Sequence, residues 1–168
     1  ELIKQVNAFL DGEDDLIANL SNVSSLIRMN LGFLWVGWYF VQGKELVLGP
    51  FQGDVACTRI PYGKGVCSAC WQEKKTIIVP DVDQFPGHIT CNSKSKSEIV
   101  VPVMDANGEV KYLLDIDSEK KNEFNTTDQK FLEEIACLLS RKYFGNKIKN
   151  YPPKDESASG GKTFNLVT

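Results

Sequence analysis

The chain predicts an α+β domain, an antiparallel sheet of about six strands with its N- and C-terminal helices packed on one face. Three observations carry this. Apolar residues recur at helical spacing near both ends, β-branched and aromatic runs fill the middle, and turn residues separate those runs at hairpin distances. A segment with a period of 3.6 buries one stripe, whereas a sheet segment buries alternate residues. The two patterns occupy different parts of this sequence.

Leu2 to Leu10 reads as a first helix. Leu16, Leu20, Val23 and Ile27 define a second over Asp14 to Met29, with acids at its start where the helix dipole favours them. From Phe33 to Val41 the residues become β-branched and aromatic; a turn at Gln42-Gly43-Lys44 then returns the chain along Glu45 to Phe51 as a hairpin. Gly53, Pro61, Gly63 and Gly65 break the following stretch before a short helix over Val66 to Lys74 and a strand over Thr76 to Val79. A long loop runs from Pro80 to Ser97. Glu98 to Met104 and Val110 to Asp117 flank Asn107-Gly108, a strong hairpin signal. Thr126 to Gln129 has capping-box spacing, and Phe131, Ile135, Leu138 and Leu139 continue a last helix to about Phe144, closed by Gly145. Residues 1–145 are thus expected to form the domain. Residues 146–168, with two prolines and a Ser-Ala-Ser-Gly-Gly tract, read as a flexible tail.

Composition narrows the function classes. With 168 residues, 42% hydrophobic and 24% charged, the chain suffices for one core. A net charge of -3 with dispersed Lys and Arg offers no field for nucleic acid. The longest apolar run, Leu31 to Val41, is about half of the roughly 20 residues that span a bilayer, so no membrane association is expected. Five cysteines are an odd set, too few for a secreted disulfide framework, and suit reduced thiols in the cytoplasm.

The loop around Cys91 is polar and long for a compact domain, and Lys94, Lys96 and His88 would draw its thiol toward the thiolate. The plain alternative is a surface loop with an incidental cysteine. A two-residue turn at Asn107-Gly108 places Glu98 opposite Asp117 and puts Asp115 on the same face as Asp117. Facing carboxylates either hold a cation or keep a proton through a raised pKa; the alternative is a solvated sheet face. Trp35 and Tyr39 share a face across Gly37, which would leave that face open as a pocket, while Trp38 belongs to the core. Cys67, Cys70, His88 and Cys91 have the spacing of a zinc site, although Cys67 and Cys70 fall in a helix rather than on a glycine-rich knuckle. Cys137 lies off its helix's apolar stripe.

Several motifs occur together: Leu48-Gly-Pro-Phe-Gln-Gly53, Ala56-Cys57 with Arg59-Ile60-Pro61, Gly65-Val-Cys67, Val79-Pro-Asp81, Phe85-Pro-Gly-His88, Cys91 with Ser97-Glu98-Ile-Val-Val-Pro102, and Leu114-Asp-Ile-Asp-Ser118. Across roughly residues 30 to 140 the chain resembles the free methionine-(R)-sulfoxide reductases, which are built on the GAF fold. The resemblance implies reduction of the free amino acid L-methionine-(R)-sulfoxide, with no cofactor or metal, with thioredoxin as reductant and with a homodimeric assembly. Carried over by motif, Cys91 is similar to the catalytic cysteine, whose thiolate attacks the sulfoxide sulfur and becomes a sulfenic acid. Cys67 resembles the resolving cysteine that closes a disulfide with Cys91, and Cys57 a relay or alternative resolver. Asp117 is assigned the proton for the departing oxygen, Glu98 and Asp115 the substrate ammonium, and Trp35 and Tyr39 the methyl end. Backbone N–H groups of the Cys91 loop would receive the carboxylate. Cys70 and Tyr112-Leu113-Leu114 depart from the family pattern without touching these roles. A non-enzymatic GAF module that binds a small molecule, and the zinc domain above, are the competing expectations.

Overall fold

A computed structural model describes residues 1–145. The expected tail at 146–168 lies outside the described residues. Among the described residues, four α-helices and one six-stranded sheet follow in chain order. Helix α1, Leu2–Gly12, buries Val6 and Leu10. Helix α2, Leu16–Leu31, begins where the Asp15 side chain accepts from the Ala18 amide at 2.8 Å, and it ends on Gly32 in the left-handed region. Helix α3, Gly65–Glu73, is short. Helix α4, Thr126–Phe144, is capped by Asn125 rather than by the expected threonine. The Asn125 side chain accepts from the Thr127 and Asp128 amides, and Asp128 bonds back to the Asn125 amide at 2.9 Å. The box therefore starts one residue earlier than its Thr-x-x spacing suggests.

The strands are β1, Trp35–Gln42, β2, Glu45–Gln52, β3, Arg59–Pro61, β4, Ile77–Val79, β5, Ser97–Met104, and β6, Val110–Ser118. They order as β3-β2-β1-β6-β5-β4, and every pairing is antiparallel. The β3 strand had no sequence signal, because three residues among glycines and prolines carry no readable period. In the β1–β2 hairpin, Gly43 at φ 62 makes the tight turn. A bulge opposite Trp38 takes up Pro50, which has no N–H for the ladder, and lies beyond the short stretch where β3 pairs with β2.

Strand alternation decides which side each residue serves. Val36, Trp38, Tyr112, Leu114, Ile116, Ile99 and Val101 form one face and are fully or almost fully buried. Helices α2 and α4 cover it. Trp38 Nε1 donates to Ser24 Oγ of α2 at 2.8 Å, and Ser140 Oγ of α4 donates to the Met104 carbonyl at 2.5 Å. Helix α1 rests against α2 and α4. The N- and C-terminal helices thus pack on one face, as expected, while α3 and the 80–96 segment lie across the other. Among the described residues no helix is long and apolar enough to cross a membrane.

Candidate active site

The face opposite the terminal helices carries Trp35, Gly37 and Tyr39 from β1, Asp115 and Asp117 from β6, and Glu98 from β5. Glu98 pairs directly with Asp117, and Val100 with Asp115, the register expected from the hairpin turn. That register is held although the turn itself is longer than two residues. Asp105 accepts from the Asn107 and Glu109 amides, and a bulge between Val103 and Met104 absorbs the difference. The helix α3 and the loops carrying Val55 and Cys91 close a pocket over this patch. Its walls include Trp35, Tyr39, Cys67, His88, Cys91, Asn92, Ser95, Glu98, Asp115 and Asp117.

The aromatic wall is stacked. The rings of Trp35 and Tyr39 lie 6.1 Å apart, and Trp35 stacks on Phe51 at 5.4 Å. Trp35 Nε1 donates to the Asp54 carbonyl at 3.0 Å and Tyr39 Oη to the Cys57 carbonyl at 2.8 Å, so both rings are held by the loop that presents Cys57. Gly37 does not leave space for a ligand, as its position on the face suggested. A Cβ there would strike the Trp35 indole itself and come within 2.5 Å of Phe51 Cβ. The glycine instead lets the indole fold down over β1.

The acidic floor is buried and tightly coupled. Asp115 and Glu98 are each 6% exposed. Burial first, then the neighbouring carboxylates, push both well above the usual range. Asp115 also bonds to the Cys67 thiol and to Glu98, so the two buried acids titrate as one coupled pair with Asp117 beside them. Asp117 is raised by burial to about 6, held back by a hydrogen bond from Ser95 and by the charge of His88. Ser95 Oγ donates to Asp117 Oδ1 at 2.5 Å. Sequence reasoning missed Ser95 because nothing in a run of alternating serines and lysines marks which serine turns inward. Two buried polar atoms in the pocket have no hydrogen-bond partner, the donor Asn92 Nδ2 and the acceptor Asp115 Oδ1.

Two sequence expectations about the thiols differ in the structure, the partner of Cys91 and the cysteine-histidine quartet. Cys91 is disulfide-bonded to Cys57, with Cα atoms 5.3 Å apart, and not to Cys67. Cys57 and Cys91 sit on loops that meet at the pocket rim, whereas Cys67 points into the floor, where burial and then Asp115 push its thiol well above its usual pKa. The quartet Cys67, Cys70, His88 and Cys91 is not assembled. Cys91 is committed to the disulfide, and Cys70 donates to the Val100 carbonyl at 3.6 Å. Two basic residues of the loop lie beside acids. Lys94 pairs with Asp54 at 3.5 Å, and His88 Nε2 lies 3.6 Å from Glu98 Oε2. The loop is not wholly irregular, since Val82–Gln84 forms a single 3-10 turn capped by Asp81. Cys137 is half-buried on α4, among the residues packed against the core.

Residues 18–141 match the family model described as GAF domain. The chain is 51% identical to GAF domain-containing protein A of Dictyostelium discoideum over 139 residues, 82% of this chain and 87% of the relative. It is 42% identical to the free methionine-R-sulfoxide reductase of Saccharomyces cerevisiae over 149 residues, covering 84% of this chain and 83% of that one. Among solved structures, a free methionine-R-sulfoxide reductase from Neisseria meningitidis in complex with its substrate superposes with a TM-score of 0.82. It shares 43% identity and covers 85% of this chain and 86% of that chain.

Proposed function

This chain belongs to the free methionine-R-sulfoxide reductases of the GAF-domain family, and on that premise we propose that it reduces free L-methionine-(R)-sulfoxide to methionine through Cys91. The observation that carries the substrate class is the pair of unpartnered buried atoms, Asn92 Nδ2 and Asp115 Oδ1. A buried donor and a buried acceptor in one pocket each cost desolvation until filled. A zwitterionic amino acid brings a carboxylate for the first and an ammonium for the second. Within a polypeptide both groups would be amides, and neither charge would be present.

The chemistry then follows from the residues around that anchor. The Trp35 and Tyr39 rings supply an apolar wall for the S-methyl end. In the reduced protein the Cys91 thiolate attacks the sulfoxide sulfur. The oxygen takes a proton and ends on sulfur as Cys91 sulfenic acid, and methionine leaves. Asp117, titrating near 6, holds that proton at neutral pH for part of the population and sits opposite Glu98 on the pocket floor. The Cys57 thiol then displaces water from the sulfenic acid and forms the disulfide, so the Cys57–Cys91 bond supports Cys57 as the resolving residue. A dithiol reductant of the thioredoxin class, in the cytoplasm, would return both thiols by exchange. Glu98 and Asp115 share the ammonium.

Replacing Cys91 by Ser tests the assignment. Dithiol-driven loss of the R epimer from a mixture of R and S methionine sulfoxide, followed by chromatography, should stop entirely; substantial remaining turnover would refute it. Cys57→Ser should leave the first turnover intact and trap the sulfenic acid, which a sulfenic-acid-selective reagent detects.

A further inference from the structure

We propose that Cys67, Glu98 and Asp115 form a binding site for a soft divalent cation such as Zn2+, whose occupancy excludes the ammonium group of the substrate. One ligand atom from each residue lies within 4.8 Å of the others, the Cys67 Sγ and a carboxylate oxygen from each acid. All three residues are buried, with Cys67 2% exposed and both acids 6%. Tetrahedral zinc, with Zn–S near 2.3 Å and Zn–O near 2.0–2.2 Å, sets its ligands about 3.3–3.8 Å apart, so an inward shift of about an ångström closes the site. This differs from the cysteine quartet suggested by spacing, sharing only Cys67 with it.

Two further observations point to a cation here. Asp115 Oδ1 is a buried acceptor without a partner, so the corner has an unfilled coordination position. Cys67 is left as a free thiol when Cys57 and Cys91 are joined, so the site persists in the oxidised protein. The floor is rich in acid and poor in base. Glu98, Asp115 and Asp117 face the corner, and the His88 imidazole, 3.6 Å from Glu98, is the basic side chain beside them. A thiolate and two carboxylates suit a soft to borderline metal better than Mg2+ or Ca2+. On binding, the Cys67 thiol proton and any proton held by Glu98 and Asp115 pass to water and no group is oxidised or reduced, so affinity rises with pH. The ammonium uses hydrogen bonds to the same carboxylates, and the two occupants cannot coexist. Exclusion of substrate rests on the reductase reading above; metal binding does not.

The test uses the 168-residue chain with the Cys57–Cys91 disulfide closed, titrated with Co2+ and then with Zn2+. A single equivalent of cobalt should bind with a thiolate-to-cobalt charge-transfer band that zinc abolishes. Cys67→Ser should remove the band and weaken zinc at least about tenfold. Asp115→Asn should weaken zinc similarly while keeping the thiolate band, which decides the matter if Cys67→Ser does not fold. No band in the unmodified protein, or the same band in Cys67→Ser, overturns the site. In single-turnover reactions of pre-reduced protein without added thiol, zinc should raise the half-saturating concentration of methionine-(R)-sulfoxide at least about tenfold. Zinc bound through Cys67 with no such rise overturns the exclusion. Absence of turnover in metal-free protein overturns the reductase reading instead, and the cobalt band still judges the metal site.

Discussion

The two faces of the central sheet are built from the same strands, yet they differ in almost every physical respect. On the helix side, Trp38, Tyr112, Leu114 and Ile116 are buried among apolar neighbours, and the Trp38 N–H finds Ser24. On the other side, one residue along each strand, Asp115 and Glu98 are buried and Asp117 is half-buried beside them, all with raised pKa values, and Asp115 Oδ1 is left unpaired. The first face follows the rules that make a core stable. The second breaks them. The comparison teaches how a small domain holds a costly site: β1, β5 and β6 are anchored by packing on one side, so the like charges on the other cannot relax by moving the strands apart.

Substitutions can break this contrast. The largest effect should come from Asp117→Asn, with kcat/KM for methionine-(R)-sulfoxide lower by about 10²–10⁴-fold if Asp117 supplies the proton. Glu98→Gln should cost less, and equal or reversed effects in steady-state kinetics would move the proton donor elsewhere. On the helix face, Trp38→Ala should cost about 3–5 kcal/mol of stability by urea unfolding, with KM of the folded enzyme unchanged. A changed KM at near-normal stability would dissolve the distinction between the faces.

The pH dependence of stability tests the acidic face directly. Asp117 is raised from 3.8 to about 6 on folding, so the folded state binds more protons. Its favourable contribution is full below about pH 4 and is lost as pH rises through about 6. Unfolding free energy of the oxidised protein should fall on the order of 1–3 kcal/mol between pH 4.5 and pH 8. Glu98 and Asp115, also raised by burial, act in the same direction, so Asp117→Asn should make that slope shallower without removing it. Asp14 and Asp81, held low by Lys142 and Lys121, act in the opposite direction but are exposed and titrate below this window. Gly37→Ala should destabilise by a comparable amount, about 1–3 kcal/mol, because its Cβ displaces the Trp35 indole. A KM increase should accompany it, and an unchanged KM would remove Trp35 from the substrate wall.

Much of this was legible in the chain. The helices at both ends, the β1–β2 hairpin and the Glu98–Asp117 pairing follow from local period and turn chemistry, which are properties of adjacent residues. The turn at Asp105–Gly108 proved longer than expected, yet a bulge restored the register, because a one-residue slip would have turned Ile99, Val101, Leu114 and Ile116 away from the helices. The brief β3 strand and the inward serine at Ser95 had no such signal. Neither has a period, and each is placed by what lies across from it.

By itself the sequence determined the alternation that separates an apolar face from an acidic one, and the residue types from which a thiol-dependent reductase is made. Only the tertiary structure decided which thiols meet. Cys57, Cys67 and Cys91 are equivalent as letters, but the loop carrying Cys57 reaches Cys91 at a Cα distance of 5.3 Å, while α3 turns Cys67 down onto Asp115. Disulfide pairing depends on the separation and direction of Cβ atoms between distant segments, and no local pattern encodes those quantities.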